Sequence, residues 1–201
     1  MTASHQKGSA TPPAGTGPSE WWRLPVWLLA GFLAAAVLSV TASFAPAEMK
    51  RLLLYYVVYG IACGAVLHWL SIELRPGTPR LLPYFAGVIC LVGALNLGFL
   101  SYRHFEQGRQ KLALERPKDV EILKTLRSAS EQDPEVYEQY SRELRQFSPR
   151  FDDYLRHRVS SLGEWNRPWP ELFWGFEVLL SAIASGITLF LMGRQPQRQI
   201  R

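Results

Sequence analysis

Four apolar runs alternate with polar connections along this chain of 201 residues, and each run has the length of a membrane-spanning helix. They cover residues 24–44, 52–72, 81–102 and 172–192, which amounts to 21, 21, 22 and 21 residues. A hydrocarbon layer of about 30 Å needs about 20 helical residues to cross it. Because the runs contain no Lys, Arg or Asp, they predict an all-α integral membrane protein with a four-helix transmembrane bundle.

The long polar segment between the third and fourth runs, residues 103–168, is predicted to be an extramembrane helical hairpin. Asp133 followed by Pro134 is typical of a helix start, since Asp caps a helix and Pro fits its first turn. Apolar residues then recur at spacings of four, four and three, which places them on one helix face: Val136, Tyr140, Leu144 and Phe147.

The runs divide the chain into five parts. Residues 1–20 are predicted to form a disordered tail, 21–102 the first three membrane helices, 103–168 the extramembrane segment, 169–193 the fourth helix and 194–201 a basic tail. The small residues Ala45 and Ala47 would suit a signal-peptide cleavage site after the first run. However, the core of a signal peptide has only about 7 to 15 apolar residues, so a retained helix is favoured.

Charge narrows the choice of partners. In a soluble protein, the net charge of +5 would suggest nucleic-acid binding. However, the segment 103–168 holds 13 Lys and Arg against 12 Asp and Glu. Such a balance leaves no basic stripe for a nucleic acid. The expected partners are therefore the lipid bilayer and either another membrane protein or a second copy of this chain.

The orientation follows from Lys and Arg in the short connections. The residues before the first run, the residues after the fourth run and the second connection (73–80) hold seven of them, whereas the first connection (45–51) holds two. The seven are Lys7, Arg23, Arg75, Arg80, Arg194, Arg198 and Arg201. Since short cytoplasmic connections carry the excess of positive charge, this count favours cytoplasmic termini with the segment 103–168 on the opposite side.

Glu177 is the single charged residue within the four runs. A charged carboxylate in hydrocarbon costs about 3 kcal/mol, so the side chain needs a partner. At a rise of about 1.5 Å per residue, Glu177 lies roughly 8 to 12 Å inside the face that carries the segment 103–168. Four polar residues of the other runs fall at a similar depth and predict an intramembrane polar layer: Tyr56, Tyr59, Asn96 and Ser39.

The sequence allows three interpretations of Glu177. It is a structural carboxyl that is hydrogen-bonded to Tyr59 and Asn96, an interfacial glutamate that lies less deep, or a functional group. A functional Glu177 would relay protons or cations, or contact a membrane partner.

Small residues on three of the runs predict close helix packing, because they let helix backbones approach each other. They are Gly60, Gly64, Gly87, Cys90, Ala94, Ser181 and Ser185.

A charged cluster near the end of the extramembrane segment is interpreted as a solvated helix face. It consists of Asp152, Asp153, Arg156, His157 and Arg158.

No standard catalytic motif occurs in the chain, and no catalytic residue, metal site or cofactor is predicted. This absence favours a non-enzymatic assembly, anchoring or accessory subunit that works through protein contacts. The alternative is a small proton- or cation-coupled transporter or channel subunit that uses the layer around Glu177. A membrane enzyme that uses Glu177 and His68 is the third hypothesis.

Overall fold

A computed structural model describes residues 22–46, 49, 54–76, 80–160, 163 and 168–194, and over these ranges the chain is helical with no strand. Seven helices occur in the described part of the chain: α1 (Arg23–Ser43), α2 (Leu54–Leu74), α3 (Leu82–Glu115), α4 (Pro117–Ala129), α5 (Pro134–Arg145), α6 (Phe151–Val159) and α7 (Trp169–Arg194).

Four of these helices, α1, α2, α3 and α7, are long and apolar enough to cross a membrane. They coincide with the four apolar runs, so the prediction of an all-α membrane protein that contacts the bilayer is confirmed. The predicted disordered tail over 1–20 lies outside the described residues, as does the C-terminal tail beyond Arg194.

The third membrane helix is longer than its apolar run. Helix α3 has 34 residues and continues past residue 102 as far as Glu115. The residues that follow the run include Arg, Glu, Gln and Lys, which are good helix formers, so a polar sequence did not have to end the helix. It ends where Pro117 disfavours the helical conformation of the preceding residue.

The bundle is built around α7, which packs closely against α2 and α3, while α1 covers α3 and α2. Glycines allow the contact between α2 and α7. A Cβ atom at Gly64 would lie 2.6 Å from the backbone oxygen of Ser185, and one at Gly60 would clash with the backbone oxygen of Ser181. The two backbones therefore touch at a distance that no larger residue permits.

Helices α4 and α5 pack against each other and form the predicted hairpin. Asp133 caps α5, since its carboxylate accepts hydrogen bonds from the backbone N–H groups of Glu135 and Val136 at 3.1 and 3.5 Å. Helix α6 then returns to the bundle and packs against α7 and α3. This return brings the segment that follows the hairpin into contact with the membrane helices.

Candidate functional site

Helix α6 presents one buried face to the bundle. The side chains of Tyr154, Leu155 and Arg158 are 8%, 2% and 6% exposed. Aromatic contacts fix this face, because the ring of Phe151 lies 5.3 Å from that of Trp174 on α7. Burial raises the pKa of the Tyr154 phenol above its ordinary value. The tyrosine is therefore neutral at physiological pH.

Arg158 and Glu177 form a buried ion pair at this contact. Nη2 of Arg158 lies 2.5 Å from Oε2 of Glu177, and each side chain is 6% exposed. The guanidinium also stacks over Tyr56, with its central carbon 4.6 Å from the ring centroid. One arginine thus joins α6, α7 and α2 through an ion pair and a cation–π contact.

The interpretation of the charged cluster as a solvated face is wrong for Arg158. Arg156 is exposed and the two aspartates are partly buried, as expected near an interface, but Arg158 is almost completely buried. The sequence held a signal for this burial. Arg158 follows Phe151 by seven residues and Leu155 by three, so it continues their helix face.

The predicted polar layer divides into two sets of contacts. Asn96 Nδ2 donates to Ser39 Oγ at 2.7 Å, and the Tyr59 hydroxyl donates to the backbone oxygen of Ala35 at 3.1 Å. These contacts connect α1 with α3 and α2. Glu177 instead pairs with Arg158 beside Tyr56, and so its partner is neither Tyr59 nor Asn96.

Six of the seven residues that were expected to pack helices together lie at the contacts of α7 with α2 and α3: Gly60, Gly64, Gly87, Cys90, Ser181 and Ser185. The thiol of Cys90 donates to the backbone oxygen of Ser181 at 3.3 Å, and Ser185 Oγ donates to that of Ala86 at 3.4 Å. A Cβ atom at Gly87 would lie 3.4 Å from the backbone oxygen of Ala182. Ala94 is completely buried in the same core.

A second polar region lies outside the bundle, where α3, α5 and α6 meet. We name this region the cationic cleft, a hollow of about 180 Å³ whose lining includes Phe105, Arg109, Arg142, Arg145, Asp153 and His157. A larger hollow of about 490 Å³ adjoins it, shares Arg142, Arg145 and Asp153 with it, and adds Arg156.

Positive charge predominates in the cationic cleft. Arg142 is paired with Glu138 at 2.9 Å, and Asp153 accepts a hydrogen bond from the backbone N–H of Arg150 at 2.9 Å. Within the described residues, Arg145 forms no ion pair with a carboxylate. The sequence pattern did not predict this region, because its residues are far apart in the chain and meet only in the fold.

Four spanning helices with a buried ion pair define this chain as a polytopic α-helical membrane protein. It is similar to adenosylcobinamide-GDP ribazoletransferases from two strains of Pseudomonas putida, with 37% identity over 83 residues in each case. The match covers 39% of this chain and 33% of each relative, so the chain spans about a third of the length of these curated relatives. No family model and no solved structure matches the chain.

This similarity corrects the functional hypothesis drawn from the sequence. The matched relatives are named as transferases, and therefore the expectation of a non-enzymatic accessory subunit is wrong. The absence of a standard catalytic motif was weak evidence, because many enzymes use residues that the fold assembles from distant positions. In the described part of the chain, no three side chains of His, Cys, Asp or Glu come together as a metal site.

The burial of the ion pair predicts a large loss of stability when one partner is removed. Arg158→Ala or Glu177→Ala should lower the free energy of unfolding by about 3 to 5 kcal/mol, since either change leaves an uncompensated buried charge. Thermal or denaturant unfolding of the detergent-purified protein measures this loss. The double variant Arg158→Met with Glu177→Leu should recover most of the stability, because it removes both charges.

The matched control is the exposed pair of Arg142 and Glu138, whose side chains are 75% and 69% exposed. Arg142→Ala should change the stability little, because water replaces the lost partner. Similar losses for the buried and the exposed pair would contradict the role assigned to burial.

Proposed function

We propose that this chain is a membrane-embedded transferase whose reaction is of the adenosylcobinamide-GDP ribazoletransferase type. The observation that carries the proposal is the stretch of 83 residues that is 37% identical to two enzymes of that name. In such a reaction, a hydroxyl of ribazole attacks the cobinamide-bound phosphate of adenosylcobinamide-GDP. The bond between the two phosphates breaks, GMP leaves, and a phosphodiester joins cobinamide to ribazole. The rest of the chain has no counterpart in this match, so the substrates are part of the proposal.

The geometry supports a reaction at the membrane surface. A substrate activated with GDP carries a diphosphate, which is anionic and is bound best by cationic side chains. The cationic cleft offers Arg109 and Arg145 next to the membrane helices, and neither forms an ion pair with a carboxylate in the described part of the chain. The bundle interior offers no comparable set within the described residues, because Arg158 is already paired with Glu177. A charged substrate therefore suits the junction of α3, α5 and α6.

We also propose that the segment 103–168 lies on the cytoplasmic side of the membrane. Charge in the short connections favoured cytoplasmic termini, but a nucleotide-activated substrate is expected in the cytoplasm, which requires the segment 103–168 on that side. The count of charges close to the membrane supports this reverse orientation. Nine Lys and Arg lie in the first 20 or the last 20 residues of the segment 103–168. With the two of the first connection, they outnumber the seven on the other side of the membrane.

We further propose that the membrane helices of this chain contact a protein partner. Between α3 and α7 lies an apolar groove of about 510 Å³, where Gly87, Ala182 and Gly186 leave room for a helix. A second copy of the chain is the partner that we expect there. A monomeric mass in gentle detergent, measured by light scattering, would contradict this association.

The transfer activity can be tested with the purified full-length chain in lipid nanodiscs. Incubation with adenosylcobinamide-GDP and ribazole should consume the GDP-activated corrinoid, release GMP and yield a ribazole adduct, which chromatography of the coloured corrinoid detects. Gly108→Ala is a matched control, because a Cβ atom at Gly108 would have no neighbour within 4 Å and the variant should retain full activity. No product from well-folded protein would contradict the proposal.

The orientation is tested by cysteine labelling in intact cells. Ser128→Cys on the exposed surface of α4 should react with a membrane-impermeant maleimide only after permeabilisation, whereas Gln197→Cys near the C-terminus should react in intact cells. The native cysteines, Cys63 and Cys90, are buried and can be retained. The opposite labelling pattern would contradict a cytoplasmic segment 103–168.

A further inference from the structure

The cationic cleft has the chemistry of a site for phosphate oxygens. Three of its side chains are arginines, and the planar guanidinium presents paired N–H donors that match the oxygens of phosphate. Both carboxylates near them are engaged, Glu138 by Arg142 and Asp153 by the backbone of Arg150. In the described part of the chain, neither carboxylate forms an ion pair with Arg109 or Arg145.

Two side chains of the cleft, Arg109 and His157, contact the same aromatic ring. The guanidinium carbon of Arg109 lies 5.2 Å from the centroid of Phe105, and the imidazole of His157 is stacked on the same ring at 5.1 Å. Side chains that are already ordered lose less conformational entropy when a ligand binds. The cleft is therefore partly preorganised for an anion.

We infer that the cationic cleft binds the diphosphate of a nucleotide-activated substrate, with Arg109 and Arg145 as its main anion-binding residues. The inference rests on the proposed function for the identity of the ligand. The cleft of about 180 Å³ receives the phosphates, and the adjoining hollow of about 490 Å³, which Arg156 lines, receives the guanosine. Together they reach the size of typical small-molecule sites.

Two other sources of phosphate have to be distinguished from a soluble diphosphate. Nucleic acid needs an extended basic surface, but the segment 103–168 is nearly neutral overall, with 13 Lys and Arg against 12 Asp and Glu. An anionic lipid headgroup shares the phosphate chemistry and is present at the membrane surface. The experiment must therefore separate a soluble diphosphate from a lipid phosphate.

The test measures binding of labelled GDP to the full-length chain in nanodiscs of neutral lipid. Arg109→Gln and Arg145→Gln should each weaken binding by about tenfold or more, since each removes a charge-assisted hydrogen bond to phosphate. Inorganic pyrophosphate should compete with GDP, and binding should weaken as the salt concentration rises.

Two matched controls change the charge equally outside the cleft. Arg103→Gln alters an arginine of the same helix that stacks on Phe99 at 5.2 Å, and Lys124→Gln alters an exposed residue of α4. Both should leave GDP binding unchanged. Absence of GDP binding, or equal effects of cleft and control variants, would overturn the inference.

A second arm replaces the neutral lipid with phosphatidylglycerol. If only this lipid is retained, and the cleft variants release it, the phosphate belongs to a lipid and the assignment to a nucleotide falls. Activity separates the inference from the proposed function. Cleft-dependent GDP binding without transfer would uphold the cleft and refute the transferase, whereas transfer with an unchanged KM in both cleft variants would uphold the transferase and refute the cleft.

Discussion

The ion pair between Arg158 and Glu177 is the constraint on which the arrangement of this chain depends. Glu177 lies within the fourth membrane helix, where a lone carboxylate is unfavourable. Its partner comes from α6, which belongs to the segment outside the apolar runs. Arg158 offsets the cost of burying an ionised Glu177 because α6 lies against α7. The pair therefore fixes the position of an extramembrane helix relative to the membrane helices.

This constraint extends to the cationic cleft, because α6 contributes to both regions. His157 and Asp153 line the cleft, while Arg158, next to His157 in the chain, is directed into the bundle. Phe105 of α3 contacts both His157 and Tyr154, with ring distances of 5.1 and 5.6 Å. A change in the buried pair would move the wall of the cleft. In this way an interaction in the membrane interior positions a polar surface at its edge.

The membrane helices could be predicted from the sequence because an uninterrupted apolar run of about 20 residues matches the thickness of the hydrocarbon layer. The extension of α3 to Glu115 could not be predicted in this way, because a hydropathy window ends where polar residues begin. Depth along a helix placed Glu177 near the segment that supplies Arg158. It did not identify the partner, because residues at equal depth can point in different directions around their helices. Asn96 and Tyr59, for example, point towards α1 and not towards Glu177.

Arg158 was missed for a related reason. Charged residues at the surface of a helix are usually solvated, and the cluster that contains Arg158 has the composition of such a face. The apolar spacing from Phe151 and Leu155 was the better guide, because position on the helix face decides burial before residue type does. The cationic cleft had no comparable local signal, since it joins residues of α3, α5 and α6.

Hydrogen–deuterium exchange of the backbone amides in α6 reports directly on whether the ion pair holds this helix against the bundle. In the variant Glu177→Gln, exchange over Phe151–Val159 should rise by about tenfold or more, because the helix loses the charge that anchors Arg158. Exchange in α1, which lies away from the pair, should stay as in the native protein. Unchanged protection of α6 in this variant would show that aromatic packing alone positions the helix.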